Sequence, residues 1–374
     1  MAKRMPAAPP VLPGFTHINP LGVGGFADVF LYEQQMPKRK VAVKVLLRDL
    51  VDEDVARMFN LEADVMAQLG SHPSIVTVYE ASISSDGRPY IAMEYCPVAI
   101  AQRYRKERMS IPEVLHIGVK IAGAIEGAHR LGILHRDIKP SNVMITQYGA
   151  PVLADFGIAT SLSGTSGVMA LSVPWSAPEV VSDQSTGSIA TEVWSLGATL
   201  YSMLAGHSPF EIPGSGRNGP DELSARVRKA RYTPLERQDV PSDLQSILAQ
   251  TMNANPQNRQ SSAREVGEQL RYVEQRLGLP VTPIDILEPQ SSFAPPVIEF
   301  GQDNESPVVR SEVAVTTSRR PRRKKTEVTR DDDVDTTVRP DGRKTISLQT
   351  ALWVGAGLLA VIVALVTWIV VQGR

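Results

Sequence analysis

Ala351 to Val371 carries no charged side chain, and Thr367 is its only clearly polar one. As a helix rising about 1.5 Å per residue, such a run covers about 30 Å, one bilayer core. A charge-free run can also be a buried core helix, but that needs folded chain on both sides. Here a long polar stretch precedes it and only Gln372-Gly373-Arg374 follow. Residues 348–371 are therefore expected to form one transmembrane helix, with Trp353 and Trp368 near its ends, where indole rings favour the membrane interface. Arg319, Arg320, Arg322, Arg323, Lys324 and Lys325 precede the run, with Arg339, Arg343 and Lys344 closer to it. The positive-inside bias then places the N-terminal side in the cytoplasm and residues 372–374 outside the cell.

Residues 278–347 are rich in Pro, Ser, Thr and charge, with little apolar periodicity. Such a stretch cannot bury enough surface to offset its ordering entropy, so a disordered juxtamembrane linker is expected there. Its basic block is a solvated charge run or a weak attraction to anionic lipid heads. Residues 1–14 form an N-terminal tail without the apolar run of a secretory signal. Residues 15–277 mix strand and helix patterns and suffice for a two-lobed core, about 15–96 and about 97–277. A formal net charge of −1 gives no whole-chain field for nucleic acid, which is not an expected partner. Cys96 is the only cysteine, so no intrachain disulfide can form.

Leu21-Gly22-Val23-Gly24-Gly25-Phe26-Ala27-Asp28-Val29 opens the patterned region. Glycines there permit a tight turn and close backbone approach to phosphates. Val41-Ala42-Val43-Lys44-Val45 reads as a strand with the valines on one face and Ala42 with Lys44 on the other. A lysine in an apolar strand ordinarily reaches water from a sheet edge. The next element argues otherwise: Val55, Met58, Val65 and Leu69 repeat at helical spacing, and Glu62 falls on that stripe. A carboxylate on a core face needs a partner, and Lys44 is the natural one.

His135-Arg136-Asp137-Ile138-Lys139-Pro140-Ser141-Asn142, Asp155-Phe156-Gly157 and Ala177-Pro178-Glu179 follow in order. This set resembles the signature of the protein kinases, in particular bacterial membrane-anchored, eukaryotic-like serine/threonine kinases. The resemblance covers residues about 15–277 and implies an α+β, bilobal fold with a β-rich N-lobe and an α-rich C-lobe. It implies ATP as a substrate, Mg²⁺ as the metal with Mn²⁺ able to stand in, and proteins as phosphate acceptors. By the same resemblance Asp137 orients the substrate hydroxyl and takes its proton, and Lys139 lies near the γ-phosphate. Lys44 grips phosphates and is held by Glu62, while Asn142 and Asp155 bind the metal. The nucleotide would lie against Leu21, Gly22, Val23, Gly24, Gly25, Val29, Ala42 and Met144. Met93 would be the gatekeeper, with adenine bonded to the backbone of Glu94 and Cys96. Cys96 itself is read as a packing residue rather than a reactive thiol. Val193, Trp194, Leu196, Gly197, Leu200 and Leu204 resemble the central C-lobe helix, and Arg259 is expected to pair with Glu179.

Five positions depart from the family pattern. Ala27 replaces the third glycine, Glu192 stands where an aspartate normally supports the catalytic loop, and Leu171-Ser172 with Trp175 replaces Gly-Thr and Tyr. Ser172 keeps a hydroxyl for Asp137 and Lys139. These departures leave two alternatives: an ATP-binding pseudokinase acting as a membrane scaffold, and a small-molecule kinase. Phosphorylation is expected between Asp155 and Glu179, at Thr165 or Ser166 before Thr160, Ser161 or Ser163, with Arg136 as the phosphate's partner. Self-phosphorylation is expected near Thr326, Thr329, Thr336 or Thr337. Thr329 has Asp332 three residues later, a pattern that forkhead-associated domain proteins would read. A kinase dimer is a further expected partner state.

Overall fold

The computed structural model describes residues 4–48, 53–156 and 172–287. Strands β1 (Phe15–Val23), β2 (Ala27–Gln35) and β3 (Lys38–Leu46) are followed by helix α1 (Glu53–Leu69). Strands β4 (Val78–Ile83) and β5 (Pro89–Glu94) complete an antiparallel sheet of order β1-β2-β3-β5-β4. Alternation in β3 decides its two faces. Val41, Val43 and Val45 pack with Leu12, Phe30, Tyr32 and Tyr90 in one core, whereas Ala42 joins the core shared with α1. Residues opposite one another in a sheet share a face. Val29, Lys44 and Ile91 are therefore neighbours, as are Leu31, Ala42 and Met93.

The remaining described chain is mainly helical. It contains β6 (Val98–Ala99), α2 (Ile100–Arg103), α3 (Ile111–Arg130), the hairpin β7 (Val143–Ile145) and β8 (Pro151–Leu153), and α4 (Pro178–Val181). Helices α5 (Ile189–Ala205), α6 (Pro220–Arg228), α7 (Ser242–Thr251) and α8 (Ala263–Arg276) follow. Local signals set the ends of the two central helices. Ser110 caps α3 by accepting from the Glu113 N–H, and Ser188 with Thr191 forms a capping box on α5. Gly206, at φ 80°, ends α5 in the left-handed conformation that glycine adopts without strain. α5 is buried on nearly every side, as its Val193, Trp194, Leu196, Leu200 and Leu204 pattern implies. A Cβ on Gly197 would lie 2.0 Å from Thr251 Oγ1, so only glycine lets α7 approach α5 there.

Two expectations about the fold are corrected. The buried stripe of α1 runs through Phe59, Glu62, Ala63, Met66 and Leu69, while Val65 is only half-buried. The expected Val55 and Met58 side chains lie outside the described residues. The second correction concerns the linker, which does not begin at 278. Leu279–Leu287 lies along α3 and α8: Thr282 is buried and its N–H and hydroxyl donate to Glu274 at 2.8 and 2.6 Å. The polar composition hid this because the segment is held by pairing as much as by apolar burial. The tail before β1 is docked too, with Leu12 buried and Pro10 accepting from the Tyr32 hydroxyl at 2.6 Å. The expected transmembrane helix, the rest of the linker and residues 372–374 lie outside the described residues. Among the described residues no helix is long and apolar enough to cross a membrane.

Candidate active site

β3 and α1 bring the first two site residues together. Lys44 Nζ lies 2.6 Å from Glu62 Oε1, and both side chains are largely buried. The same ammonium lies 3.1 Å from Asp155 Oδ1, a contact the sequence reading did not foresee. Burial opposes the charge on Lys44, but the carboxylates of Asp155 and Glu62 outweigh it and hold the ammonium above the usual lysine range. The Lys44 ammonium in turn holds the Asp155 carboxyl below its usual range. Burial pushes the Glu62 carboxyl up, against the pull of Lys44.

The β7–β8 hairpin places the metal candidates. Asn142 immediately precedes β7 and Asp155 lies two residues past the end of β8, and the Ala154 N–H donates to the Asn142 carbonyl at 2.8 Å. Asn142 Nδ2 donates to the Asp137 carbonyl at 2.8 Å and to Asp137 Oδ2 at 3.1 Å. That spends the amide's donors; its oxygen accepts from the Ser141 hydroxyl at 3.2 Å and keeps a second lone pair for a cation. Among the described residues no cluster of three His, Cys, Asp or Glu side chains could hold a metal. An anionic aspartate with an amide oxygen nevertheless fits a small hard dication that takes its other ligands from phosphate and water.

Asp137 sits at the centre of a polar triangle. Its Oδ1 accepts from the Ser172 hydroxyl at 2.7 Å, its Oδ2 pairs with Lys139 Nζ at 2.6 Å, and Lys139 donates to Ser172 Oγ at 2.9 Å. The loop carrying it is strained at Arg136, with φ 65°, and the segment after β8 is strained at Asp155, with φ 57°. Buried groups hold that conformation. Glu192 Oε1 accepts from the Arg136 N–H at 2.6 Å, and Glu192 Oε2 accepts from His129 Nε2 at 2.6 Å. His135 accepts from the Asp137 N–H through Nδ1 and donates through Nε2 to the Ala154 carbonyl at 3.0 Å, and burial pushes this imidazole down. His129 was missed by the sequence reading; its one available signal is a polar residue ending the apolar face of α3.

The nucleotide candidates come from the five-stranded sheet, the chain just after it and β7. Ala42, Met93 and Cys96 are buried in the main core, and Val29 and Met144 pack against it half-buried. Leu21 stands apart from them, exposed on β1. The Glu94 N–H is used by the Thr77 carbonyl at 2.9 Å. Burial pushes the Cys96 thiol up to about 12. In the glycine-rich turn the Gly24 N–H donates to the Ala27 carbonyl at 2.9 Å, and a Cβ on Gly24 would stand 2.7 Å from that oxygen. Gly22 and Gly25 face open space, and Val23 ends β1 beside them. Ala27 is itself buried, so the departure from glycine fills core space. Arg259 grips Glu179 with its two terminal guanidinium nitrogens, at 2.6 and 2.9 Å, with the arginine side chain fully buried. Gly157 and the candidates Thr165 and Ser166 lie outside the described residues, as do Thr160, Ser161 and Ser163. So do Leu171 and the tail threonines 326, 329, 336 and 337.

The sheet-built lobe thus supplies a lysine–carboxylate pair and the helical lobe an aspartate loop. Residues 15–270 match the family described as protein kinase domain, and the chain belongs to that family. The serine/threonine-protein kinase PknK of Mycobacterium tuberculosis is 40% identical over 276 residues, 72% of this chain and 24% of the relative. The serine/threonine-protein kinase PrkC of Bacillus subtilis is 33% identical over 253 residues, 66% of this chain and 38% of the relative. PknB of Mycobacterium leprae, also a serine/threonine-protein kinase, is 34% identical over 257 residues, 66% of this chain and 40% of the relative. The chain thus spans between a quarter and two fifths of the length of these relatives.

Proposed function

We propose that the chain is a serine/threonine protein kinase that transfers the γ-phosphate of ATP to protein hydroxyls. The observation that carries this reading is the Asp137–Lys139–Ser172 triangle. An acceptor hydroxyl seated against Asp137 can lose its proton there, and Lys139 offsets charge on the transferred group. Lys44, held by Glu62, is a fixed cation for the α- and β-phosphates. Asn142 and Asp155 would hold Mg²⁺, which when bound neutralises phosphate charge. With the Glu94 N–H already used, the Cys96 N–H and the Glu94 carbonyl, which accepts only a weak contact from the Cys96 thiol at 4.0 Å, would meet the adenine edge. Arg259 and Glu179 anchor the segment that ends the peptide site. Transfer of label from γ-labelled ATP to generic protein, compared with Asp137→Asn, tests the reading. Label in serine and threonine from the wild type alone supports it, and ATP binding without transfer would leave a pseudokinase.

The wider setting belongs to the same proposal. Residues 348–371 would anchor the kinase at the cell membrane, as a single pass with the catalytic region cytoplasmic; their charge-free composition supports this. Phosphorylation at Thr165 or Ser166 would engage Arg136. Phosphorylation at Thr329, Thr336 or Thr337 by the tethered catalytic region would offer a site to forkhead-associated domains, and dimers would exchange phosphate between chains. Phosphosite mapping of membranes from cells carrying wild type or Asp137→Asn tests these together.

A further inference from the structure

The segment Leu279–Leu287 rests in a seat cut for it. A Cβ on Gly123 of α3 would lie 2.3 Å from the Asp285 carbonyl oxygen, and one on Gly267 of α8 would lie 2.7 Å from Ile284 Cδ1. A Cβ on Gly127 would stand 3.3 Å from the Leu287 nitrogen. Polar contacts then lock the segment in place. Lys120 Nζ lies 2.7 Å from Asp285 Oδ2, and His116 Nδ1 bonds the Thr282 hydroxyl oxygen at 3.1 Å. The Thr282 hydroxyl in turn donates a hydrogen bond to the buried Glu274.

Outside the helical lobe's own elements the strap meets the α1–β4 loop. His72, buried in the loop between α1 and β4, meets the Asp285 carbonyl at 2.9 Å through Nε2. Its Nδ1 accepts from the Ser74 N–H at 3.0 Å, which fixes Nε2 as the donor. This loop ties two site elements together. The His72 N–H donates to the Leu69 carbonyl at the end of α1. Ser74 accepts from the Leu153 N–H, and the Val76 N–H donates to the Leu153 carbonyl, on the strand that ends two residues before Asp155. α1 carries Glu62, and Glu62 and Asp155 are the two carboxylates that hold Lys44.

We propose that His72 and the strap Leu279–Leu287 form a positioning device for the phosphate-gripping lysine. The strap pins the α1–β4 loop against α3, and the pinned loop sets α1 and β8 at the spacing that lets Glu62 and Asp155 share Lys44. His72 and Asp285 are positioning residues that touch no reacting atom. The inference rests on the kinase reading for its kinetic half. Its structural half, coupling between strap and α1, can be read without any transfer activity.

The test uses the full chain. Gly123→Val drives a side chain into the Asp285 carbonyl; Lys120→Met loosens the same place without intruding on α3, and serves if the valine variant does not fold. Hydrogen exchange of residues 281–287 reports strap release, and exchange of residues 60–69 reports α1. On release, α1 exchange should accelerate and kcat should fall by about fivefold or more, as expected for one lost hydrogen bond. KM for the protein substrate should stay within about twofold, because none of the varied residues lies in the Asp137–Lys139–Ser172 triangle. His72→Ala should reproduce the loss, and His72→Gln, whose amide can reach the same carbonyl, should recover it. The His72→Ala/Gly123→Val double variant should be no slower than His72→Ala alone, since both cut one connection. Release of the strap with α1 exchange unchanged overturns the proposal, as do additive losses in the double variant or His72→Gln as slow as His72→Ala. A wild type that transfers no phosphate overturns the kinase reading instead, while the exchange data still decide the coupling.

Discussion

Restoring the family's aspartate at position 192 should damage this protein rather than repair it. Glu192 spans two partners with its two oxygens, the Arg136 N–H and His129 Nε2, each at 2.6 Å and each buried. Aspartate is shorter by one methylene, about 1.5 Å of reach, so it can keep one partner but not both. One lost hydrogen bond to a charged acceptor costs about 1.5–3 kcal/mol, and the missing buried methylene adds about 1 kcal/mol. Glu192→Asp should therefore lower stability by about 2.5–4 kcal/mol in urea unfolding followed by fluorescence of the buried Trp194. The lost support reaches Arg136, whose φ of 65° needs its surroundings, and the adjacent Asp137 should then lose about tenfold in kcat. Glu192→Gln should be milder in stability. It keeps the reach, and His129 can move its proton to Nδ1, which has no partner among the described residues, leaving Nε2 to accept. An aspartate variant as stable and as fast as the wild type would refute the idea that length, not charge alone, is matched at this position.

Three further outcomes are expected. Lys44→Met should leave a folded protein with less than about a tenth of the wild-type rate, since a phosphate-stage charge contact exceeds one factor of ten; a rate above that removes Lys44 from the site. Arg259→Met should lower stability by about 3–5 kcal/mol, because Glu179 is left with no cation in a largely buried place; an unchanged unfolding midpoint contradicts the pairing. Cys96, pushed up to about 12 by burial, has a smaller thiolate fraction than an ordinary thiol at every pH below that value. Alkylation at pH 8 should then run at least about a hundredfold slower than for an unfolded control, and equal rates would show that the thiol is not buried.

Residue types at fixed spacing carried most of the site into the sequence. Alternation in β3 located Lys44, helical spacing put Glu62 on the inner face of α1, and the catalytic loop placed Asp137, Lys139 and Asn142 beside Ser172. Illegible parts depend on contacts between distant segments. His129 lies far from Glu192 in sequence and has no pattern of its own, because its role exists only where α3 crosses α5. The Lys44–Asp155 contact depends on how the sheet closes over the β7–β8 hairpin, which neither segment specifies alone. The strap was hidden for a different reason. Pro280, Thr282, Pro283 and Asp285 read as linker composition, and the signal that they dock lies elsewhere, in Gly123, Gly127 and Gly267. Within a helix those glycines look like small core residues until something is seen to lie on them.

The most direct measurement of the central claim is single-turnover transfer of labelled γ-phosphate from ATP, followed by identification of the labelled amino acid. It should be run on the purified full chain beside Asp137→Asn. The wild type should place label on serine or threonine, with the asparagine variant slower by at least about a hundredfold for loss of the group that takes the hydroxyl proton. Equal rates in the two proteins, label on tyrosine alone, or no label from a chain that still binds ATP would contradict it.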